Sequence, residues 1–532
     1  MKLSRRAFLG SAAAGALLAN RAWSAQPASK PPNILIIVAD DMGYADAGCY
    51  GGEIETPNLD RLARGGLRFS QYYSAGRCWP SRACILTGYY AQQVRMDPPK
   101  GRLPQWARML PHYFKPAGYR CYHSGKWHLG GAPKAVADGG FDRSYKLADQ
   151  DRFFSPERHW LDDEALPAVE RDSGYYATTA IADHALECLR DHAEADPDQP
   201  FLHYLAFTSP HFPLHALQKD IDRYRNRYLE GWDKIRRQRY TRQRELGLIS
   251  CALSEREPDV VPSWNFPPEK LETMIGPGEV PNAVAWQSLS QEEKRLQATK
   301  MAIHAAMIDR MDQEIGRVLD QLEQMGAFED TLILFVSDNG ASAEQIIRGD
   351  MHDKEAAAGS ADSYLCLGPG WSTSSNTPFR RHKHWNHEGG IASPLIVHWG
   401  NGGLDAGALR HTPGHFVDIL PTLLDIGNVE PEPTWNGAAP PPLPGRSLAP
   451  VFEEDGALER EFLYFHHMGN RALRQGDWKL VAAGQDAPWE LYNLKQDRSE
   501  TQNLAKEHPE TVRKLAEIWE EQERLYRKQA GY

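Results

Sequence analysis

The chain has 532 residues and a formal net charge of −11, with 41% hydrophobic and 25% charged residues. These are the proportions of a water-soluble globular protein, long enough for one large α/β domain and a smaller appendage. The negative balance argues against generic attraction to nucleic acid or to an anionic membrane, so an anionic ligand must be held by a local cluster of cations.

The first thirty residues stand apart from the fold. Ser4-Arg5-Arg6-Ala7-Phe8-Leu9 resembles the twin-arginine export signal, a small apolar run from Gly10 to Ala19 follows, and Ala22-Trp23-Ser24 offers small residues for cleavage. The run is too short to span a bilayer and no later stretch is apolar enough, so no stable membrane anchor is expected. Residues 1–30 are therefore read as a leader for the twin-arginine translocase, and the mature chain as exported, periplasmic or extracellular.

Asn33 to Ala39 (NILIIVA) and Thr331 to Ser337 (TLILFVS) are continuous apolar runs, the mark of parallel strands covered on both faces. The first runs into Asp40-Asp41 and the second into Asp338-Asn339-Gly340, so acidic groups fall at strand carboxyl ends, where open α/β sheets gather function. A third strand, Arg120 to Ser124, leads into Gly125-Lys126-Trp127-His128. A helix over about Asp220 to Arg239 carries Tyr224, Tyr228 and Trp232 on one face among arginines, which reads as a packing face rather than a nucleic-acid surface. A long helix follows, with Met301, Ala305, Ile308, Met311, Ile315, Val318, Leu319 and Leu322 at helical spacing and Gly326 as its stop. Residues 31–430 form the main domain on this reading. Residues 431–450, rich in proline and glycine, form a linker. Residues 451–532 form a small antiparallel sheet (Phe462 to His466, Trp478 to Ala482, Trp489 to Leu494) closed by a helix, Thr511 to Arg527. The seven cysteines show neither metal-finger spacing nor a dense disulfide framework.

Three constellations carry chemistry. The first is Cys78-Trp79-Pro80-Ser81-Arg82 with Leu86-Thr87-Gly88; Pro80 suits a first helical turn, so Cys78 is expected to cap a helix whose amino end favours an anion. The second is Asp40, Asp41, Asp338 and Asn339, hard oxygen ligands suited to calcium or magnesium and poor ones for zinc or copper. The third is cationic: Lys126 and His128, then His211 in Ser209-Pro210-His211-Phe212-Pro213-Leu214, then Lys383 before Glu388-Gly389-Gly390.

The run C-x-P-S-R-x-x-x-L-T-G resembles the signature of the formylglycine-dependent (type I) sulfatases, in particular the bacterial arylsulfatases. Thr56-Pro57-Asn58-Leu59-Asp60, Asn376-Thr377-Pro378-Phe379-Arg380 and Gly469-Asn470-Arg471-Ala472-Leu473-Arg474 extend the likeness from Pro32 to the carboxyl terminus. The resemblance implies an alkaline-phosphatase-like α/β fold, a central mostly parallel sheet between helices with a smaller C-terminal antiparallel sheet-and-helix subdomain. It implies that a formylglycine-generating enzyme oxidises Cys78 to an aldehyde whose hydrate attacks a sulfate ester. It makes Asp40, Asp41, Asp338, Asn339 and the Cys78-derived group the metal ligands, with calcium the ion, where the residues alone leave magnesium open. Arg82, Lys126, His128, His211 and Lys383 become the catalytic set, His211 protonating the departing alcohol and His128 deprotonating the second hydroxyl. Sulfated saccharides are the expected substrates. The rival readings are a phosphonate or phosphate-ester hydrolase of the same superfamily and a non-catalytic binder of sulfated glycans with Cys78 unconverted. Ile249 to Leu289 and Arg348 to Gly368 follow no motif, and substrate preference is expected to reside there.

Overall fold

The computed structural model describes residues 30–98 and 101–531, so the expected leader lies outside the described residues apart from Lys30. Pro31–Tyr532 form one compact unit. Its large sheet is built on β1 (Asn33–Ala39), β2 (Leu67–Tyr73), β3 (Arg120–Lys126), β4 (Arg143–Leu147), β5 (Phe201–Ala206), β6 (Thr331–Ser337) and β7 (Ala392–His398). They lie in the order β2-β7-β6-β1-β5-β3-β4, and short edge strands bring the total to eleven among the described residues. From β6 to β4 every pairing is parallel, whereas β7 runs antiparallel to both neighbours.

The continuous apolar runs have the cause their pattern suggests. Along β1, Leu35, Ile37 and Ala39 enter one core cluster while Ile34, Ile36 and Val38 enter the other. Successive strand residues point to opposite faces, and both faces are covered. The register pairs Asn33 with Thr331 and Ala39 with Ser337, so Asp40 and Asp338 leave the sheet level with each other.

The long helix is Gln291–Gln324, capped by Ser290 and Glu293 in a reciprocal capping box; Gly326 follows it in the left-handed region (φ 67°). The helix expected over Asp220 to Arg239 is instead two, Gln218–Tyr224 and Trp232–Glu245. Asn226 (φ 66°) and Gly231 (φ 85°) turn left-handed between them and break the helical run. The aromatic face is nonetheless core: Tyr224, Tyr228 and Trp232 are buried, and Arg239 is locked onto Glu53 and Asp46.

The expected linker holds no regular element before Ala449–Glu453. Beyond it, β8 (Leu463–His467), β9 (Asn470–Gln475), β10 (Trp478–Ala482) and β11 (Glu490–Asn493) form an antiparallel meander. The helix Pro509–Ala530 lies on it, with Trp519 stacked on Tyr464. Buried Glu388 ties this meander to the large sheet, accepting from Lys479 at 2.9 Å, Arg498 at 2.9 Å and Tyr73 at 3.0 Å. All seven cysteines are buried and none is paired. Among the described residues no helix is long and apolar enough to cross a membrane.

Candidate active site

All ten residues singled out from the sequence meet at the carboxyl edge of the parallel strands. Lys126 is the last residue of β3. Before it, Gly125 (φ 112°) passes so close to β5 that a Cβ would lie 2.1 Å from the Ala206 carbonyl oxygen, which is why glycine stands there. Gly340 has the same task after β6: a Cβ would lie 1.9 Å from the Gly389 oxygen. That contact seats the loop carrying Lys383 against the Asp338-Asn339 turn. Asp41 (φ 68°) and His128 (φ 50°) hold left-handed backbone without being glycine, strain of about 1–3 kcal/mol each that clusters at functional sites.

Cys78 is the first residue of the helix Cys78–Thr87, and Arg77 rather than Cys78 is its N-cap. The side chain therefore sits on the first turn, at the positive end of the helix dipole. It lies within the electrostatic reach of Arg82, Lys383 and Asp338.

The charges interlock. Arg82 donates to Asp338 Oδ2 from Nε at 3.0 Å and from Nη2 at 2.8 Å, and to the Lys126 carbonyl at 3.0 Å. Lys126 Nζ donates to Asp40. Lys383 Nζ reaches Asp41 at 2.9 Å and Glu344 at 3.3 Å. Burial pushes the carboxyls of Asp40, Asp41 and Asp338 up, against the opposing pull of Lys126, Lys383 and Arg82 respectively. Burial alone would lower the Lys383 ammonium, but Asp41 and Glu344 overcome it and hold it charged.

Two buried oxygens in this cluster, Asp40 Oδ1 and Asn339 Oδ1, have no hydrogen-bond partner among the described residues. Buried acceptors left unpaired are costly, and oxygen atoms of this kind suit a hard divalent cation. Asp40, Asp41 and His211 offer ligand atoms within 4.8 Å of one another. A divalent cation therefore fits these residues.

Both histidines are neutral. Burial first, then Lys126 and Arg82, holds His128 well below the usual histidine range; burial, Lys383 and Lys126 do the same to His211. His211 Nδ1 donates to the Phe212 carbonyl, which fixes the tautomer and leaves Nε2 as an acceptor 3.7 Å from Asp41. The expected proton donor thus carries no proton on Nε2 before an anion arrives.

Several neighbours escaped the sequence reading. Glu344 holds Lys383, Arg77 at 3.3 Å and Trp264 Nε1 at 2.8 Å. Arg77 lies over the rings of Trp79 and Trp264, and Arg348 over Phe212, which stacks on His211. Trp264 and Arg348 belong to the two motif-free segments, so both segments reach the rim. Glu344 follows the Asp338-Asn339-Gly340 turn at no spacing that signals a role.

The sulfatase family model matches residues 32–429. The chain belongs to the sulfatase family. The chain is by that kinship a sulfuric ester hydrolase, and the buried cations Arg82, Lys126 and Lys383 suit a sulfate group. The chain is 31% identical to an arylsulfatase of Klebsiella aerogenes over 83% of this chain and 96% of that one. It is 30% identical to an uncharacterized sulfatase of Schizosaccharomyces pombe over 94% of each. A solved structure in complex with its substrate, D-glucosamine-2-N,6-O-disulfate, matches at a TM-score of 0.64 and 23% identity over 94% of this chain and 99% of that one. That likeness establishes the alkaline-phosphatase-like fold for this sulfatase.

Proposed function

We propose that this sulfatase hydrolyses sulfate esters of saccharides through a formylglycine made from Cys78 and a divalent cation, calcium by family resemblance, held by Asp40, Asp41, Asp338, Asn339 and residue 78. The observation that carries this reading is the site's charge pattern: three buried cations, Arg82, Lys126 and Lys383, paired with the buried carboxylates Asp338, Asp40 and Asp41 around a helix N-terminus. Such a cluster suits a tetrahedral anion together with a cation, and neither alone.

The bound cation would neutralise the carboxylates and draw charge from the sulfate oxygens. The hydrated aldehyde at residue 78 would supply one hydroxyl to attack sulfur and a second to expel the sulfate. Lys126 and Lys383 receive the sulfate oxygens. Arg82 fixes Asp338 beside residue 78. His128, neutral and with Nδ1 buried and unpartnered, accepts the proton of the second hydroxyl. His211 serves the leaving oxygen from Nε2: the negative charge of the entering ester opposes Lys383 and Lys126, so the imidazole takes up a proton from solvent and gives it to the departing alcohol, while the proton of the attacking hydroxyl passes to Asp338 beside residue 78. Trp79, Trp264 and Arg77 form the wall on which the alcohol part rests, and a disulfated sugar as the substrate of a structural relative supports a saccharide there.

Residues 1–30 direct export through the twin-arginine translocase to the periplasm or beyond, and changing Arg5 and Arg6 to lysine should leave precursor in the cytoplasm. The function itself is tested by turnover of matched sulfate, phosphate and phosphonate esters of one alcohol. Preferred turnover of the sulfate is expected. Preference for a phosphorus ester, or binding without turnover, would overturn the proposal.

A further inference from the structure

A cavity of about 560 Å³ opens between β2 and the C-terminal meander, and none of the catalytic set lines it. Arg474 and Arg498, each 6% exposed, are among its lining residues. The ion pairs behind them are incomplete. Glu388 takes Lys479 and Arg498, and Glu500 takes Lys479 at 2.8 Å. Arg474 donates only to neutral oxygens, to Tyr73 Oη at 2.7 Å and to the Gly476 carbonyl at 3.1 Å. Among the described residues no carboxylate lies within ion-pair distance of it. Arg498 donates to Glu388 and to the Ser70 carbonyl and lies over the Phe379 ring, but its Nη2 is buried with no hydrogen-bond partner among the described residues. Three buried cations, Arg474, Lys479 and Arg498, thus face two buried carboxylates, Glu388 and Glu500. An uncompensated buried charge is costly, and guanidinium forks suit planar or tetrahedral oxyanions.

We propose that this cavity is a second anion site that takes a sulfated or carboxylated sugar residue, the oxyanion on Arg474 and Arg498. The volume falls within the range of small-molecule sites, about 300–1,000 Å³, and exceeds the need of a lone ion. Leu248, Ile249 and Leu494 line one part of it for a sugar face. Gln71 and the exposed Asp477 offer hydroxyl partners, and the exposed Lys495 offsets the charge of Asp477.

The test is calorimetric titration of full-length Cys78→Ala protein with galactose 6-sulfate, galactose and inorganic sulfate. Galactose 6-sulfate should fill two sites on Cys78→Ala and one on Cys78→Ala/Arg474→Gln. Ser250→Trp, at an exposed position lining the cavity, should abolish the same site while leaving the arginines in place, so a folding defect of Arg474→Gln does not decide the matter. Arg474→Gln alone should keep kcat/KM on a small aryl sulfate within about twofold, which separates failure here from failure of the catalytic reading. Galactose should not bind. One galactose 6-sulfate site in both backgrounds would overturn the proposal, and so would inorganic sulfate binding as tightly as the sugar sulfate.

Discussion

Lys383 is held between Asp41 and Glu344, and its removal would leave two buried carboxylates facing each other. Lys383→Met should therefore lower kcat by about 10²–10³-fold, as for loss of one preorganised charge-stabilising donor; unchanged kcat would remove Lys383 from the sulfate site. His211 makes a sharper case because its worth depends on the leaving group. A nitrophenolate leaves unaided, whereas a sugar alkoxide needs a proton. His211→Ala should cost little on nitrophenyl sulfate and about 10²–10⁴-fold on a sugar sulfate. The same loss in kcat/KM across leaving groups of rising basicity would leave His211 as a binding residue or metal ligand beside Asp41, where its Nε2 already lies. Much of this was legible in the sequence: the acidic pairs end apolar runs, and Cys78-Trp79-Pro80-Ser81-Arg82 is one contiguous string. Glu344, Trp264 and Arg348 were not, because contacts across 80 or 267 positions leave no local periodicity.

At the level of elements, β1 and β6 could be read because both faces are buried and nearly every residue is apolar, whereas β5 and β7 are as fully buried but carry His203, Ser393, Pro394 and His398 within short runs. β2, β4, β5, β7 and β9 carry no such signal; in β9, Asn470–Gln475, polar and apolar residues mix, and Arg474 is buried only through partners elsewhere. The join between the two sheets rests on such partners. Burial would raise the Glu388 carboxyl, but Lys479 and Arg498 overcome it and hold the group well below the usual range. A depressed carboxyl contributes stability above its unfolded value, near 4.5, and loses it as pH falls below. Glu388→Gln should cost about 3–5 kcal/mol at neutral pH, the price of breaking a buried pair. Its deficit against the wild type in denaturant titrations should shrink below pH 4.5. A deficit that stays constant down to pH 3 would contradict the assigned charge.

For the molecule as a whole, buried histidines set the acid limit earlier. Burial lowers His203 to about 3, His215 to about 4 and His415 to about 3, each from an ordinary 6.5. The unfolded chain binds protons at these sites first, so their stabilising share is complete above pH 6.5 and is lost as pH falls toward 4. Calorimetric Tm should decline from pH 6.5 downward; a flat Tm to pH 4.5 would contradict it. A divalent cation acts in the other sense. Calcium at a hundredfold excess over its Kd should add about 2.7 kcal/mol, removable by chelator, and Asp338→Ala should abolish the shift. Activity turns on the chemical state of residue 78. Peptide mass spectrometry of preparations with differing maturation should show specific activity rising in proportion to the fraction of residue 78 in which the thiol is replaced by an aldehyde. Equal activity from preparations whose Cys78 is wholly unmodified would contradict the formylglycine mechanism.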